Sequence, residues 1–362
     1  MHNDHDYIIT SQNNQIRQTI DEVTNLNLKS DFNTVYIFLK QISNNGDKLK
    51  MIISCAAGLS EKKDSFDNTP LLYACTTGDF QLTKSLIEGG CDRDAVHKYG
   101  NNCLVAASFN GHLEIVKYLI GMGIGKNWRN KIDGFDAILI ASQNGHLEVV
   151  KYLVSIGCDV NSKQKDNANC IFMASKNGHL EVVKYLISVG ANPNEKDNQE
   201  FNAILIASQY GHLEVVKYLV SIGCDANSKQ KINANCIYMA ASNGHINVVK
   251  YLVSVGANPN EKIKFGASPL IAASANGHLE IVKYLIQKGC NKNDKTSTND
   301  SSLHYASSNG HFEVVEFFVS IHAQLSEKNN KGKTPLDCAK EKQNENENYR
   351  KIINILVQSS AK

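Results

Sequence analysis

Apolar residues occur along this chain in two alternating kinds of segment, and residues 133–165 illustrate both. The first kind is a short continuous run, Ala-Ile-Leu-Ile-Ala at 137–141. In the second kind the apolar residues lie three or four positions apart: Leu147, Val150, Leu153 and Val154. That spacing places side chains on one face of a helix. A polar stretch over 159–166 follows. The pattern predicts a short first helix, a turn, a second helix and a protruding turn.

This block returns with a fixed period. The tag Asn-Gly-His, or a close variant, precedes each second helix, and its glycine marks the repeat: Gly111, Gly145, Gly178, Gly211, Gly244, Gly277 and Gly310. The intervals are 33 residues, except for one of 34. Gly78 and Gly46 continue the series upstream. A period of this length indicates a solenoid, in which each unit buries its apolar face against its neighbours.

Polar residues at fixed places predict where the helices begin and end. Nine positions before the first helices carry a side chain that can accept a hydrogen bond from a free amide of the first turn: Thr69, Asn102, Asp136, Asn169, Asn202, Asn235, Ser268, Ser301 and Thr334. A glycine follows most second helices: Gly58, Gly90, Gly123, Gly157, Gly190, Gly223, Gly256 and Gly289. These positions predict helix N-caps and left-handed C-terminal turns.

The motif Thr69-Pro70-Leu71, followed by Ala74, Gly78 and Gly90, resembles the ankyrin repeat, and other copies agree in phase. The resemblance implies an all-α solenoid of stacked helix-turn-helix units with protruding β-turn or hairpin tips. We expect four segments: an N-terminal capping helical segment (1–30), a degenerate first repeat (31–63), eight ankyrin repeats (64–330) and an irregular C-terminal capping repeat (331–362).

Composition limits the kinds of partner and the compartment. The formal net charge is +2, with 38 basic and 36 acidic residues, which argues against nucleic acid as a partner. No apolar run reaches the roughly 20 residues needed to span a bilayer, and the N-terminus lacks a signal-peptide pattern. The ten cysteines follow the repeat. We interpret them as free thiols of a cytoplasmic protein, because equivalent positions in stacked layers lie too far apart for disulfides.

Residues that could carry chemistry repeat with the architecture. Seven tag histidines, six lysines, their paired glutamates and six tyrosines each occupy one fixed place in the unit. Histidines in stacked layers would lie about 10 Å apart, too far to share a metal ion. Nothing in the chain matches a nucleophile elbow or a phosphate-binding loop. We therefore expect neither enzyme activity, nor a cofactor, nor a metal site.

The remaining signal is apolar and aromatic residues where turns should be polar. By resemblance, ankyrin proteins bind partners with the turn tips and with the concave face formed by the first helices. The candidate binding residues here are Tyr99, Phe109, Trp128, Arg129, Phe135, Phe201, Tyr210 and Phe265. Trp, Tyr and Arg dominate the energetics of protein interfaces. The single Trp, Trp128, is interpreted as lying beside the one inserted residue, next to Arg129.

The predicted function is a non-catalytic scaffold that binds another protein through the concave face and the turn tips. Two alternatives remain open. The chain could be a regulatory or targeting subunit of an enzyme complex, or it could be a passive structural spacer. We expect a monomer that binds no nucleic acid and does not insert into a membrane.

Overall fold

The structure, a computed structural model, describes the backbone of residues 2–360 and the side chains of residues 13–359. The outermost positions of the two predicted capping segments, 1 and 361–362, lie outside the described residues. Within this range the chain forms 21 α-helices, one short 3-10 helix at Leu59–Glu61 and no strand. Isolated antiparallel bridges join Lys229 to Asn235 and Lys295 to Ser301. The all-helical repeat fold is thus confirmed.

The helices divide between two compact units, an N-terminal unit, Met1–Lys165, and a C-terminal unit, Asp166–Lys362. The N-terminal unit contains α1 (His2–Lys29), α2 (Phe32–Asn44), α3 (Lys48–Ala56), α4 (Pro70–Thr77), α5 (Phe80–Glu88), α6 (Cys103–Phe109), α7 (Leu113–Gly121), α8 (Ala137–Gln143) and α9 (Leu147–Ser155). The C-terminal unit contains α10 (Cys170–Lys176), α11 (Leu180–Ser188), α12 (Ala203–Tyr210), α13 (Leu213–Ser221), α14 (Cys236–Ser242), α15 (Ile246–Ser254), α16 (Pro269–Ala275), α17 (Leu279–Gln287), α18 (Ser302–Ser308), α19 (Phe312–Ser320), α20 (Pro335–Lys340) and α21 (Glu347–Ser360).

All nine predicted N-caps are confirmed. In each first helix the capping side chain accepts from a backbone amide three residues later, as Asp136 does from the amide of Leu139 at 3.0 Å. The identity of the residue varies among Thr, Asn, Asp and Ser, because any short side chain with an oxygen can satisfy the free amide.

The predicted C-terminal glycines are also confirmed. Gly157, for example, has φ +82°, and the equivalent glycines are left-handed as well. One copy departs from the rule, since His322 occupies this place in the last regular repeat with φ +53°. The backbone therefore keeps the left-handed turn there without a glycine, in a conformation that most side chains adopt only at a cost.

Within each unit, the core runs between the two helices of each repeat and between neighbouring repeats. Leu139 of α8 is fully buried. In α9 the buried residues are Val149, Val150 and Leu153. The spacing predicted Val150 and Leu153 but missed Val149, and the predicted Leu147 and Val154 are only half-buried. The reason is that α9 packs against both α8 and α7, which turns its buried face toward Val149.

The cysteines are free and buried, as the sequence predicted. Burial raises the pKa of the Cys158 and Cys224 thiols to about 11. These side chains therefore stay protonated at neutral pH and pack as small apolar groups.

Both ends carry a longer helix. Val23 of α1 is fully buried, and Glu22 pairs with Lys50 of α3 at 2.9 Å. At the other end, the hydroxyl of Tyr349 in α21 donates to the carbonyl of Ser308 at 3.1 Å. We propose that α1 and α21 cap the terminal repeats, because an end repeat needs a polar outer cover.

Candidate functional site

The tag histidines connect neighbouring repeats. The ring Nε2 lies 2.8 Å from the carbonyl oxygen of Phe109 in the case of His146, and 2.9 Å from that of Gln209 in the case of His245. A carbonyl oxygen can only accept, so Nε2 carries the proton. The preceding repeat supplies a glycine against the ring: a Cβ on Gly111 would lie 2.4 Å from Nδ1 of His146. The Gly and His of the tag therefore serve the fold.

The other repeated residues also have partners within the chain. Lysine and glutamate of the second helices pair at 2.7–3.0 Å, as Lys151 does with Glu148. The Tyr118 ring packs edge-on against Phe80 with centroids 5.6 Å apart. Among the described residues, no group of three His, Cys, Asp or Glu side chains could hold a metal ion. The repeated polar residues are therefore explained by packing and pairing.

The protruding turns, called tips here, share one backbone pattern. The amide of the first tip residue donates to the carbonyl of the last at 2.9–3.1 Å in tips 64–68, 97–101, 130–135, 197–201, 230–234, 263–267, 296–300 and 329–333. The first side chain often accepts as well: Asp197 Oδ1 takes the amides of Gln199 and Phe201 at 2.9 and 2.8 Å. Each tip is thus closed by its own residues.

The structure corrects the position of the inserted residue. Tip 130–135 spans one residue more than the others. Asn130 Oδ1 accommodates the extra residue by accepting from the amides of Asp133, Gly134 and Phe135 at 2.9, 2.8 and 3.3 Å. The interpretation that the insertion lies beside Trp128 was therefore wrong, because a change in length is absorbed most easily where the chain already turns.

Neighbouring tips are joined by single backbone hydrogen bonds, which form a ladder within each unit. The second residue of one tip donates to the preceding tip, as Lys98 does to the carbonyl of Phe66 at 2.9 Å and Lys264 to that of Ile232 at 2.9 Å. In the described part of the chain, no backbone amide donates to the carbonyl of Tyr99. The ladder of the N-terminal unit is interrupted there, beside the six-residue tip.

The structure places the predicted binding residues in three environments. Tyr99 and Phe265 stand on tips with 56% and 62% of their surface exposed, and Phe109 and Tyr210 end first helices with 45% and 44% exposed. Three aromatic candidates are half-buried: Trp128, Phe135 and Phe201. The partners of Arg129 lie within its own unit.

Arg129 follows α7 and contacts the segment of chain that follows α9. Its guanidinium pairs with Asp136 at 3.1 Å, donates to the carbonyl of Lys163 at 2.5 Å and bonds the hydroxyl of Ser162. Asp136 is 8% exposed at its side chain and also caps α8. Sequence reasoning missed this role, because the contact joins residues of two successive repeats.

Two aromatic clusters were not predicted. In the N-terminal unit Tyr73 packs against Tyr36 and Phe32, with ring centroids 4.9 and 5.6 Å apart. Phe32 and Tyr73 line a groove together with Phe66. Burial is the main cause that raises the pKa of Tyr36. The signal in the sequence was Tyr73, an aromatic residue where most first helices carry alanine, isoleucine or methionine.

The second aromatic cluster lies in the C-terminal unit. Tyr238, Phe265 and Tyr305 line one groove together with Ile263 and Ile271. Burial raises the pKa of Tyr238, so its hydroxyl stays protonated at neutral pH. Only Phe265 of this group was predicted. Its neighbours come from first helices two repeats apart, and the groove therefore depends on stacking.

None of the described helices is both long enough and apolar enough to cross a bilayer.

Comparisons with known proteins agree on the repeat. The family model described as "Ankyrin repeats (3 copies)" matches residues 38–130, 138–230, 204–296, 237–328 and 294–362. The solved ankyrin repeat domain of human ASB11 is similar in fold, with a TM-score of 0.55 and 23% identity over 61% of this chain and 96% of that chain.

Curated relatives are similar over short stretches. The Drosophila melanogaster "DNA replication inhibitor plutonium" is 40% identical over 60 residues, which is 17% of this chain and 34% of that protein. The L-asparaginase of Dirofilaria immitis is 38% identical over 63 residues, 17% of this chain and 11% of that protein. The chain thus spans about a third or less of the length of these relatives.

Proposed function

The chain belongs to the ankyrin-repeat family, and from that premise we propose that it is a non-catalytic scaffold that binds another protein. Ankyrin repeats are generally protein–protein interaction modules. The binding surface consists of the tips and the first helices of each unit. The stretch similar to L-asparaginase covers 11% of that enzyme, so it gives no basis for proposing the same activity.

One observation carries this proposal. Seven aromatic side chains among the described residues are exposed: Phe66, Tyr73, Phe80, Tyr99, Phe109, Tyr210 and Phe265. Six of them lie on tips or first helices, and only Phe80 lies on a second helix. Exposed aromatic residues concentrated on one kind of surface are typical of protein interfaces. The repeated residues of the second helices instead have partners within the chain.

Three narrower points belong to the same proposal. We place the protein in the cytoplasm, because ten buried free thiols suit a reducing compartment. We propose that the chain acts as a monomer. Its role as a regulatory or targeting subunit differs only in the identity of the partner, which affinity capture from the native cell would identify.

The test compares two sets of aromatic variants with a captured partner. Tyr99→Ala together with Phe109→Ala should weaken binding in titration calorimetry by about 1–2 kcal/mol or more, because the change removes exposed anchors. Phe80→Ala is the control, since Phe80 is 40% exposed but lies on a second helix. Unchanged affinity of the double variant would contradict the proposed surface. Failure to capture any specific partner would favour a passive spacer.

A further inference from the structure

Four lysines occupy the same place in their tips, immediately before an apolar residue. The Lys–apolar pairs are Lys98-Tyr99, Lys131-Ile132, Lys231-Ile232 and Lys264-Phe265. They fall into two patches of adjacent tips. The N-terminal patch consists of Lys98, Tyr99, Lys131 and Ile132, and the C-terminal patch consists of Lys231, Ile232, Lys264 and Phe265. Each unit therefore carries one patch of two lysines, one isoleucine and one aromatic residue.

Within the described part of the chain, these lysines have no acidic partner. All four are exposed, and among the described residues none of their ammonium groups forms an ion pair. Other lysines near the tips are paired: Lys229 with Glu261 at 2.6 Å, and Lys295 with Glu327 at 2.6 Å. The four patch lysines are thus positive charges left available to a partner.

The backbone holds three of these lysines in register. The amides of Lys98, Lys231 and Lys264 donate to the preceding tip at 2.9, 3.2 and 2.9 Å. The lysine position is therefore anchored by the tip ladder, while the charged side chain remains exposed. Because the lysine backbone is already fixed, less conformational entropy is lost when a partner binds the side chain.

The apolar neighbours offer surface beside each charge. Tyr99, Ile132 and Phe265 are 56%, 51% and 62% exposed, and Ile232 is half-buried. Adjacent layers of a helical stack lie about 10 Å apart. Three residues of a polyproline II segment span about the same distance, at roughly 3.1 Å per residue, and its side chains return to the same face every third residue. A partner segment in this conformation, laid along two tips, would thus meet the two apolar contacts with side chains three positions apart.

From this arrangement we infer that each patch binds a linear acidic segment of a protein partner, with two apolar side chains three residues apart and carboxylates between or beside them. The inference rests on the proposed protein-binding function and names the chemistry of the partner. The carboxylates pair with the lysines, and the apolar side chains cover the exposed residues at the tips. One chain accordingly takes two such segments.

The composition of the patches favours a protein segment over a nucleic acid. Two of the four apolar residues are isoleucines, which offer no aromatic face on which a base can stack. The formal net charge of the chain is only +2, so long-range attraction for a polyanion is weak.

The two patches should differ in strength. In the N-terminal patch Ile132 is followed by exposed Asp133, whereas in the C-terminal patch Phe265 is followed by Gly266. The carboxylate of Asp133 lies close to where an acidic segment would bind. We expect it to weaken the N-terminal patch by several-fold relative to the C-terminal one.

The experiment selects 12-residue peptides from a random display library against the full chain and titrates synthetic copies of the enriched sequences by calorimetry. We expect acidic peptides with apolar residues three apart, and two peptides bound per chain. Lys98→Glu with Lys131→Glu, and separately Lys231→Glu with Lys264→Glu, should each lower the stoichiometry from two to one. The quadruple variant should lose binding by at least tenfold at both patches.

A matched control reverses two lysines on second helices, Lys117→Glu and Lys151→Glu, which changes the net charge equally and should leave the stoichiometry at two. Enrichment of neutral or basic peptides, binding that survives the quadruple variant, or tighter binding of a single-stranded DNA oligonucleotide would overturn the inference. Peptides that bind but respond only to Tyr99→Ala with Phe109→Ala would overturn it while supporting the proposed function. If no peptide is enriched, the inference fails, and partner capture still tests the proposed function independently.

Discussion

The two units close their tips by the same bond but join them differently. In the C-terminal unit five successive bonds connect neighbouring tips, from Asn198 to Asn330 as donors. In the N-terminal unit the ladder is interrupted at the carbonyl of Tyr99, which precedes the six-residue tip 130–135. The inserted residue thus leaves the bond that closes this tip intact, but the bond to the preceding tip is lost. Local closure tolerates insertion better than register between repeats does.

The exposed chemistry of the tips also separates the units. The N-terminal unit presents Phe66, Tyr99 and Ile132 on three consecutive tips, each more than half exposed. On the described tips of the C-terminal unit, Phe265 is the large apolar residue that is more than half exposed. Positions that hold the repeat together are constant in chemistry in both units, whereas exposed tip positions vary. The variable positions are therefore where the units can differ in function.

The largest expected effect tests whether both units use the tag in the same way. Gly111→Ala and Gly211→Ala each add a Cβ to a left-handed backbone and place it 2.4 Å from a histidine ring. Left-handed backbone costs about 1–2 kcal/mol in a residue with a Cβ. Displacing the ring loses its hydrogen bond, about 1 kcal/mol more. We expect the free energy of unfolding in urea to fall by about 2–3 kcal/mol for each variant.

Each unit offers its own control for this change. Gly123 and Gly256 are left-handed too, at φ +87° and +89°, but an added Cβ would meet nothing within 4 Å. Gly123→Ala and Gly256→Ala should therefore cost only the backbone part, about 1–2 kcal/mol. Equal losses for tag and control glycines in one unit would show that the histidine bridge contributes nothing there.

The repeat could be read from the sequence because its determinants are local. An N-cap such as Asn202 acts on an amide three residues away, and a glycine such as Gly157 acts on its own backbone, so both are visible in one window. The brace of Arg129 on Asp136 and the groove of Tyr238 with Tyr305 join separate repeats. Which side chains stay exposed depends on the side chains of the neighbouring repeat. The 33-residue period alone does not specify those contacts.

An intermediate effect compares two caps that occupy equivalent places in the two units. Asn202 caps α12 and donates to Ser228 at 3.2 Å. Asp136 caps α8 and also binds Arg129 and Ser162. Asn202→Ala should cost about 1 kcal/mol. Asp136→Ala should cost about 2 kcal/mol, because it removes a cap and two further polar contacts.

Asp136→Asn separates the two contributions of Asp136. The amide oxygen keeps the cap, whereas the ion pair with Arg129, whose side chain is 43% exposed, is lost. Because the guanidinium of Arg129 keeps this contact with solvent, the ion pair should be worth no more than about 1 kcal/mol, although Asp136 itself is buried. Urea unfolding should rank Asp136→Asn as the milder change, and a loss as large as that of Asp136→Ala would mean that the charge is the main contribution of this residue.

The smallest expected effect is a pH dependence in the C-terminal unit. Burial lowers the pKa of His245 and His304 below the usual 6.5. The unfolded chain therefore takes up these protons at a higher pH than the folded chain does. Stability is at its full value above pH 6.5 and decreases as the pH falls through 6.5 toward the folded pKa values. We expect a slightly lower urea midpoint at pH 5.5 than at pH 7.5. His245→Gln should reduce that difference and His322→Asn should not, whereas a midpoint that rises on acidification would contradict the burial of these rings as neutral groups.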